Sequence, residues 1–197
     1  MELDVADEGA AILQGAASAA DAAPQFAELL SACWPRAYRF AYRLTGDPEE
    51  AEELLQQAAE EAFRAFGRFR PGTRFDRWFL RIVYTSFLDS VRRARRRSLF
   101  SLDQLPSGAL VAEGWADPET AVESSLDGPV QRALLALPVE YRSAVVLVDL
   151  LGYSYEEAAQ ILRCPVGTIR SRLHRGRLAL REWLRPYVDA LKRGELG

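Results

Sequence analysis

The chain has 197 residues, of which 49% are hydrophobic and 27% charged, with a formal net charge of −3. Nothing in it approaches the run of about 18 apolar residues that a membrane span requires, and the acidic start MELDVADEG lacks the basic opening of a secretory signal. No membrane insertion and a cytoplasmic location are therefore expected. Cys33 and Cys164 lie far apart, which excludes a disulfide scaffold and a cysteine-based zinc site. No P-loop, acidic metal cluster or nucleophile–base pair is visible, so neither a catalytic residue nor a metal or other cofactor is expected.

The modest net charge conceals strong segregation. Residues 1–63 carry −10, residues 64–102 carry +9, residues 103–128 carry −6, residues 129–163 carry −1 and residues 164–197 carry +5. Two basic blocks separated by acidic ones point to two polyanion-binding surfaces on an otherwise acidic protein.

Residues 1–24 are mostly Ala, Gly, Ser and Asp, without the large apolar side chains of a core, and read as a mobile tail. Helical periodicity begins at Gln25, with Phe26, Leu29, Leu30, Cys33, Ala37, Phe40, Ala41 and Leu44 on one face. Thr45-Gly46-Asp47-Pro48 stops this helix and starts the next, with Asp47 as N-cap and Pro48 at the first helical position. The second helix, 48–66, buries Ala51, Leu54, Leu55, Ala58, Ala62, Phe63 and Phe66. It turns Glu49, Glu52, Glu53, Gln56, Gln57 and Glu60 outward. An acidic stripe of this kind is either a solvated face or a docking face for a basic partner.

Pro71-Gly72 marks a turn in the loop 67–74, and a third helix spans 75–97. Its apolar face is Phe75, Trp78, Phe79, Ile82, Val83, Phe87 and Val91. It ends on Arg92, Arg93, Arg95, Arg96 and Arg97, more cations than a helix C-terminus needs. Residues 98–128 are broken by Pro and Gly and read as an acidic linker. Periodicity resumes at Pro129, breaks at Pro138, and resumes in an apolar helix over 140–151 that Gly152 terminates.

Ser154-Tyr155-Glu156-Glu157 is a capping box opening a short helix over 155–162. Arg163-Cys164-Pro165 is a tight break, and a long helix follows from Val166. Helix, short turn and helix form a helix-turn-helix, whose second helix enters the DNA major groove. At about 100° per residue, His174, Gly167, Ser171 and Arg175 all fall within about 140° of Arg170, opposite the apolar Ile169, Leu173, Gly176 and Leu180. Arginine reads guanine edges in a fork, serine bonds base or phosphate, and a glycine near a helix N-terminus permits close approach to a phosphate. Gly167, Thr168, Arg170, Ser171, Arg172, His174, Arg175 and Arg177 are the candidate DNA contacts, with Arg172 and Arg177 assigned to phosphates. His174, the lone histidine, has no nucleophile or ligand set beside it in sequence and reads as a polar DNA contact. Tyr153 and Tyr155 read as packing residues.

The stretch LPVEYRSAVVLVDLLGYSYEEAAQILRCPVGTIRSRLHRGRLALREWL resembles the promoter-reading second domain of bacterial sigma factors. The segments YRLTGDPEEAEELLQQ, FRAFGRF and FDRWFLRIVYTSFLD resemble the first domain of the compact extracytoplasmic-function group. The resemblance implies an all-α protein of two small helical domains, 25–97 and 129–193, joined by a flexible linker. It implies a dissociable subunit that binds core RNA polymerase and directs promoter-specific initiation, with no enzymatic activity of its own. The acidic face (Glu49, Glu52, Glu53, Gln56, Glu60) would dock on the β′ clamp helices, and the second domain on the β flap. Arg68, Phe69, Arg70, Arg74, Arg77, Thr85, Arg92 and Arg93 would meet the proximal promoter element, and the helix-turn-helix the upstream one. An anti-sigma factor would restrain the free protein. The chain departs from the family pattern at Gln57 and Ala59, where an acid and an aromatic are common, and at Tyr84-Thr85, where an Arg-Asn pair is common. A free-standing helix-turn-helix repressor is the rival reading; it needs a dimer interface, for which no heptad pattern is visible. A nucleic-acid enzyme is a distant third.

Overall fold

The computed structural model describes residues 5–70, 72–100 and 127–194, with side chains described over 23–70, 72–94, 96 and 128–194. The first unit contains α1 (Val5–Thr45), α2 (Pro48–Ala65), a 3-10 turn (Phe66–Arg68) and α3 (Phe75–Phe100). The second contains α4 (Asp127–Leu135), α5 (Val139–Val145), a π-helical turn (Val146–Leu150), α6 (Tyr155–Leu162) and α7 (Val166–Lys192). The described residues contain no strand.

Composition reads as a tail to residue 24, with room for a short helix around Ala10–Ala20; the backbone is helical from Val5 onward. The segment is alanine-rich, and alanine is the strongest helix former; propensity alone supports a helix where core-forming side chains are missing. The α1–α2 corner follows the sequence. Gly46 takes φ +83°, and Asp47 Oδ1 accepts the Glu50 N–H at 2.9 Å, satisfying a donor that the helix start would leave orphaned.

Phe40, Leu44, Leu55, Phe79, Leu80 and Val83 are fully buried where the three helices meet. Two residues of the expected apolar face of α2 behave differently: Phe63 is 49% exposed, and Phe66 is only partly buried. Both pack edge-on against Phe26, with ring centroids 5.3 and 5.2 Å away. Phe66, Phe69, Phe75 and Trp78 continue this aromatic cluster. It pins the loop preceding α3 to the core.

In the second unit, α4 begins at Asp127, inside the segment read as linker; residues 101–126 of that segment lie outside the described residues. The helix read over 140–151 is interrupted: α5 passes into the π-helical turn, where the Leu151 N–H reaches Val146 O at 3.0 Å. The wider turn leaves Asp149 and Leu150 exposed. α7 crosses α5 closely at the buried Gly176, where a Cβ would stand 2.8 Å from Val145 Cγ2.

The units do not stand apart. The core runs continuously from α1–α3 into α4–α7. The Arg142 guanidinium is buried and donates to Leu44 O at the end of α1 and to Leu135 O and Leu137 O at 2.7 and 3.2 Å. Gln131 accepts from Arg43 at 2.9 Å and donates to Tyr42 O at 3.2 Å. Gly46 lies so close to Leu135 that a Cβ there would fall 2.5 Å from Leu135 Cδ1.

Candidate nucleic-acid interface

The helix-turn-helix forms as its sequence dictates. Ser154 accepts the Glu157 N–H at 3.2 Å, and Glu157 accepts the Ser154 N–H at 2.9 Å, completing the capping box. α6 ends at Arg163, which sits in the left-handed region at φ 52°. This is the conformation a helix C-terminus prefers to give to glycine; here the next residue, Cys164, donates its N–H to Ala159 O at 3.1 Å. Ile169 and Leu173 are buried beneath α7. The opposite face presents Gly167, Arg170, Ser171, His174 and Arg175, all exposed. A Cβ on Gly167 would meet nothing within 4 Å, so neither packing nor backbone sterics requires a glycine there. Thr168 is half-buried. Ser171 donates its hydroxyl to Thr168 O at 2.9 Å, leaving its lone pairs as acceptors for an incoming donor.

The two assigned phosphate contacts are already engaged. Arg177 forks onto Asp149 at 3.0 and 2.6 Å. Arg172 is half-buried, with Nη1 3.6 Å from Cys164 Sγ. Arg177 therefore staples α7 to the π-helical turn. Burial raises the Cys164 thiol pKa, with Arg172 pulling the other way.

The residues read as the proximal-element contacts are not gathered at one point. Arg68, Phe69, Arg70 and Arg74 lie on the loop before α3, while Arg92 and Arg93 lie about 22 Å along that helix from Arg77. Phe69 is half-buried in the aromatic cluster, and Phe75 is fully within it. Arg92 pairs with Asp89 at 2.9 Å, and Arg93 donates to Gln57 at 3.4 Å. Thr85 is exposed. Arg81, which the sequence reading omits, is exposed on the same stripe of α3, four residues from both Arg77 and Thr85; that spacing was the available signal.

Arg74 and Arg77 are bound across the boundary between units. Arg74 forks onto Asp76 at 3.0 and 2.9 Å and lies 3.9 Å from Glu157. Arg77 lies 3.8 Å from Glu157 and donates to Gln160 at 3.2 Å. Asp76 also accepts the Tyr153 hydroxyl at 2.9 Å, with Arg36 3.8 Å from its carboxylate and 5.4 Å from the Tyr153 ring centre. Burial pushes the Asp76 carboxyl up, but the hydrogen bonds from Arg74 and Tyr153 outweigh it and hold the pKa below its ordinary value. Burial pushes the Tyr153 phenol up to about 12, against the pull of Arg36. Tyr84, at the first position of the Tyr84-Thr85 departure, is buried. Burial raises its pKa, with Arg172 and Ser143 of the second unit lowering it.

The acidic face of α2 is open. Glu49, Glu52, Glu53, Gln56 and Glu60 are all exposed, and Glu60 pairs with Arg64 of its own helix at 2.7 Å. Among the described residues there is no cluster fit for a metal ion, and no helix is long and apolar enough to cross a membrane.

Two connected helical units, the second with an outward-facing recognition helix, define the architecture of a sigma-70-type factor. Residues 29–97 match the Sigma-70 region 2 family and residues 127–180 the Sigma-70 region 4 family. The chain is 41% identical over 167 residues to the ECF RNA polymerase sigma factor SigE of Mycolicibacterium smegmatis, covering 83% of this chain and 63% of that protein. It thus spans less than two thirds of that relative's length. It is 32% identical over 168 residues to the ECF RNA polymerase sigma factor SigW of Bacillus subtilis, covering 81% of this chain and 89% of the relative. The fold is similar to the sigma factor RpoE of Bartonella quintana, solved in complex with the anti-sigma factor NepR. The TM-score is 0.67 and the identity 27%, over 82% of this chain and 97% of that one. The chain belongs to the ECF group of RNA polymerase sigma factors.

Proposed function

We propose that the protein is a cytoplasmic initiation factor without an active site of its own, which lends core RNA polymerase its promoter specificity. The observation that carries this reading is the pairing of two complementary surfaces on one chain. A carboxylate-rich face on α2 suits a basic protein partner, and an outward cationic face on α7 suits the DNA groove.

In this reading Glu49, Glu52, Glu53, Gln56 and Glu60 dock on the β′ clamp helices. The β flap meets the second unit, where Leu150, Leu178 and Trp183 expose apolar surface that a partner would cover. Arg170, Ser171, His174 and Arg175 read the upstream element. Gly167 and Thr168 bring the start of α7 to a phosphate, and Arg172 and Arg177 line the flank. Arg68, Phe69, Arg70, Arg74, Arg77, Arg81, Thr85, Arg92 and Arg93 face the proximal element, with Phe69 at the loop edge able to stack on an unpaired base. An anti-sigma factor holds the protein in reserve, as the Bartonella neighbour's complex suggests.

Replacing Glu52 and Gln56 by Lys tests the polymerase contact. Both side chains are exposed, so helix content and thermal stability should stay as in the parent, while co-purification with core polymerase is lost. Unchanged co-purification refutes the assignment and favours the repressor reading.

A further inference from the structure

We infer that Gln57 is a positioning residue for DNA binding: its neutral amide stands between the Glu61 carboxylate and the Arg93 guanidinium, holding Arg93 in place while leaving its charge uncompensated for a phosphate. The inference rests on the reading of Arg93 as a proximal-element contact.

Helical spacing brings four side chains together where α2 meets α3. Gln57 and Glu61 stand one turn apart on α2, and Ser86 and Arg93 two turns apart on α3, so each pair shares a face of its helix. The two helices run antiparallel there. Ser86 reaches Glu61, while Arg93, later on α3, reaches Gln57, earlier on α2. The Glu61 carboxylate is held through both oxygens. Oε1 accepts from Gln57 Nε2 at 2.9 Å, and Oε2 lies 3.0 Å from the hydroxyl of the buried Ser86. The carbonyl end of the same Gln57 amide accepts from Arg93 Nη2 at 3.4 Å. Its partners dictate which way the amide faces, since a carboxylate only accepts and a guanidinium only donates.

Glutamine does two things here that glutamate of the same length cannot combine. It donates to Glu61, and it holds Arg93 without a counter-charge. A glutamate would set two carboxylates one turn apart and turn the bond to Arg93 into an ion pair. The consequence falls on the nucleic acid. Arg93 is exposed, spends one N–H on Gln57 and keeps its other donors. Its neighbour Arg92 is held differently, paired with Asp89 at 2.9 Å. A phosphate that takes Arg92 must displace that carboxylate, which offsets the gain. Of these two adjacent arginines, Arg93 is the one whose whole charge can neutralise a phosphate and release its condensed counterion.

The test is the salt dependence of binding of the full chain to a mixed-sequence single-stranded oligonucleotide. Each phosphate neutralised on a single strand contributes about 0.7 to the log–log slope. Gln57→Glu should make the slope shallower by that amount, as should Arg93→Ala, and the two together should be no shallower than Arg93→Ala alone. A second variant, Gln57→Glu with Glu61→Gln, keeps the formal charge of the chain and an amide–carboxylate pair at the two positions, and moves the carboxylate next to Arg93. It should reproduce the shallower slope, and it removes the like-charge pair should that impair folding of Gln57→Glu. A parent slope in both Gln57 variants, with a shallower one in Arg93→Ala, overturns the inference and leaves the DNA contact standing. A further decrease when Gln57→Glu is added to Arg93→Ala also overturns it, because the new carboxylate then acts without Arg93. A parent slope in Arg93→Ala overturns the proximal-element reading of that residue and the inference with it.

Discussion

The arginines at the start of α3 and those on the outer face of α7 belong to two basic blocks that look alike in sequence, and they are held in opposite ways. Arg170 and Arg175 are exposed on a helix whose other side is anchored by Ile169 and Leu173. Arg74 and Arg77 are tied to carboxylates, one of them on the other unit. A run of cations marks where a polyanion can bind, and the surrounding fold decides whether the cations are available. In this chain the cationic face of α7 is turned to solvent, with Arg175 donating to the Tyr141 hydroxyl at 3.3 Å, and the cations at the start of α3 are shared with a competing acid.

The sharpest contrast is between Arg142, turned inward, and Arg170, turned outward. Arg142→Ala removes the donor to three carbonyls at the junction of the units and should cost about 2–4 kcal/mol of unfolding free energy, seen as a lower denaturation midpoint. A midpoint equal to the parent's would show that the junction contributes nothing. Arg170→Ala should leave the midpoint in place and cost roughly 1–3 kcal/mol of discrimination at one promoter position. If all promoter variants keep their relative affinities, Arg170 touches only phosphate.

A smaller effect comes from pH. Asp76 has a folded-state pKa below its ordinary value, so its contribution is complete at neutral pH and fades on acidification, as pH falls through the folded value. Tyr153 is raised to about 12, so its contribution holds below its ordinary range near 10 and fades as pH rises toward 12. The groups facing this seam are Arg36, Arg74, Arg77 and Glu157, with Cys33 buried behind Asp76. Stability should therefore show a plateau between these limits, and Asp76→Asn should flatten its acid edge. An acid limb that is the same in Asp76→Asn and the parent would remove Asp76 from the account.

The contrast also separates what could be read in the sequence from what could not. The capping box at Ser154, the Pro48 start of α2 and the division of α7 into two faces are local: each is decided by residues within a turn or two, and each is found where the pattern puts it. The seam is not local. Tyr153 meets Asp76 across 77 positions and Arg142 meets Leu44 across 98, and no periodicity links such residues. The π-helical turn is not legible for a related reason: Val146–Leu150 continues the apolar pattern of α5, and no local residue pattern marks where the turn widens. Charge counting placed Arg74 and Arg77 in a basic block and left out the acid that reaches them from α6.

The most direct test of the central claim is run-off transcription with purified core polymerase and a panel of candidate promoters. The account predicts discrete transcripts that require this protein, are lost with Glu52→Lys and Gln56→Lys together, and shift in promoter preference with Arg170→Ala. A protein that binds duplex DNA as a dimer, and yields no transcript with core polymerase on any promoter it binds, would contradict it.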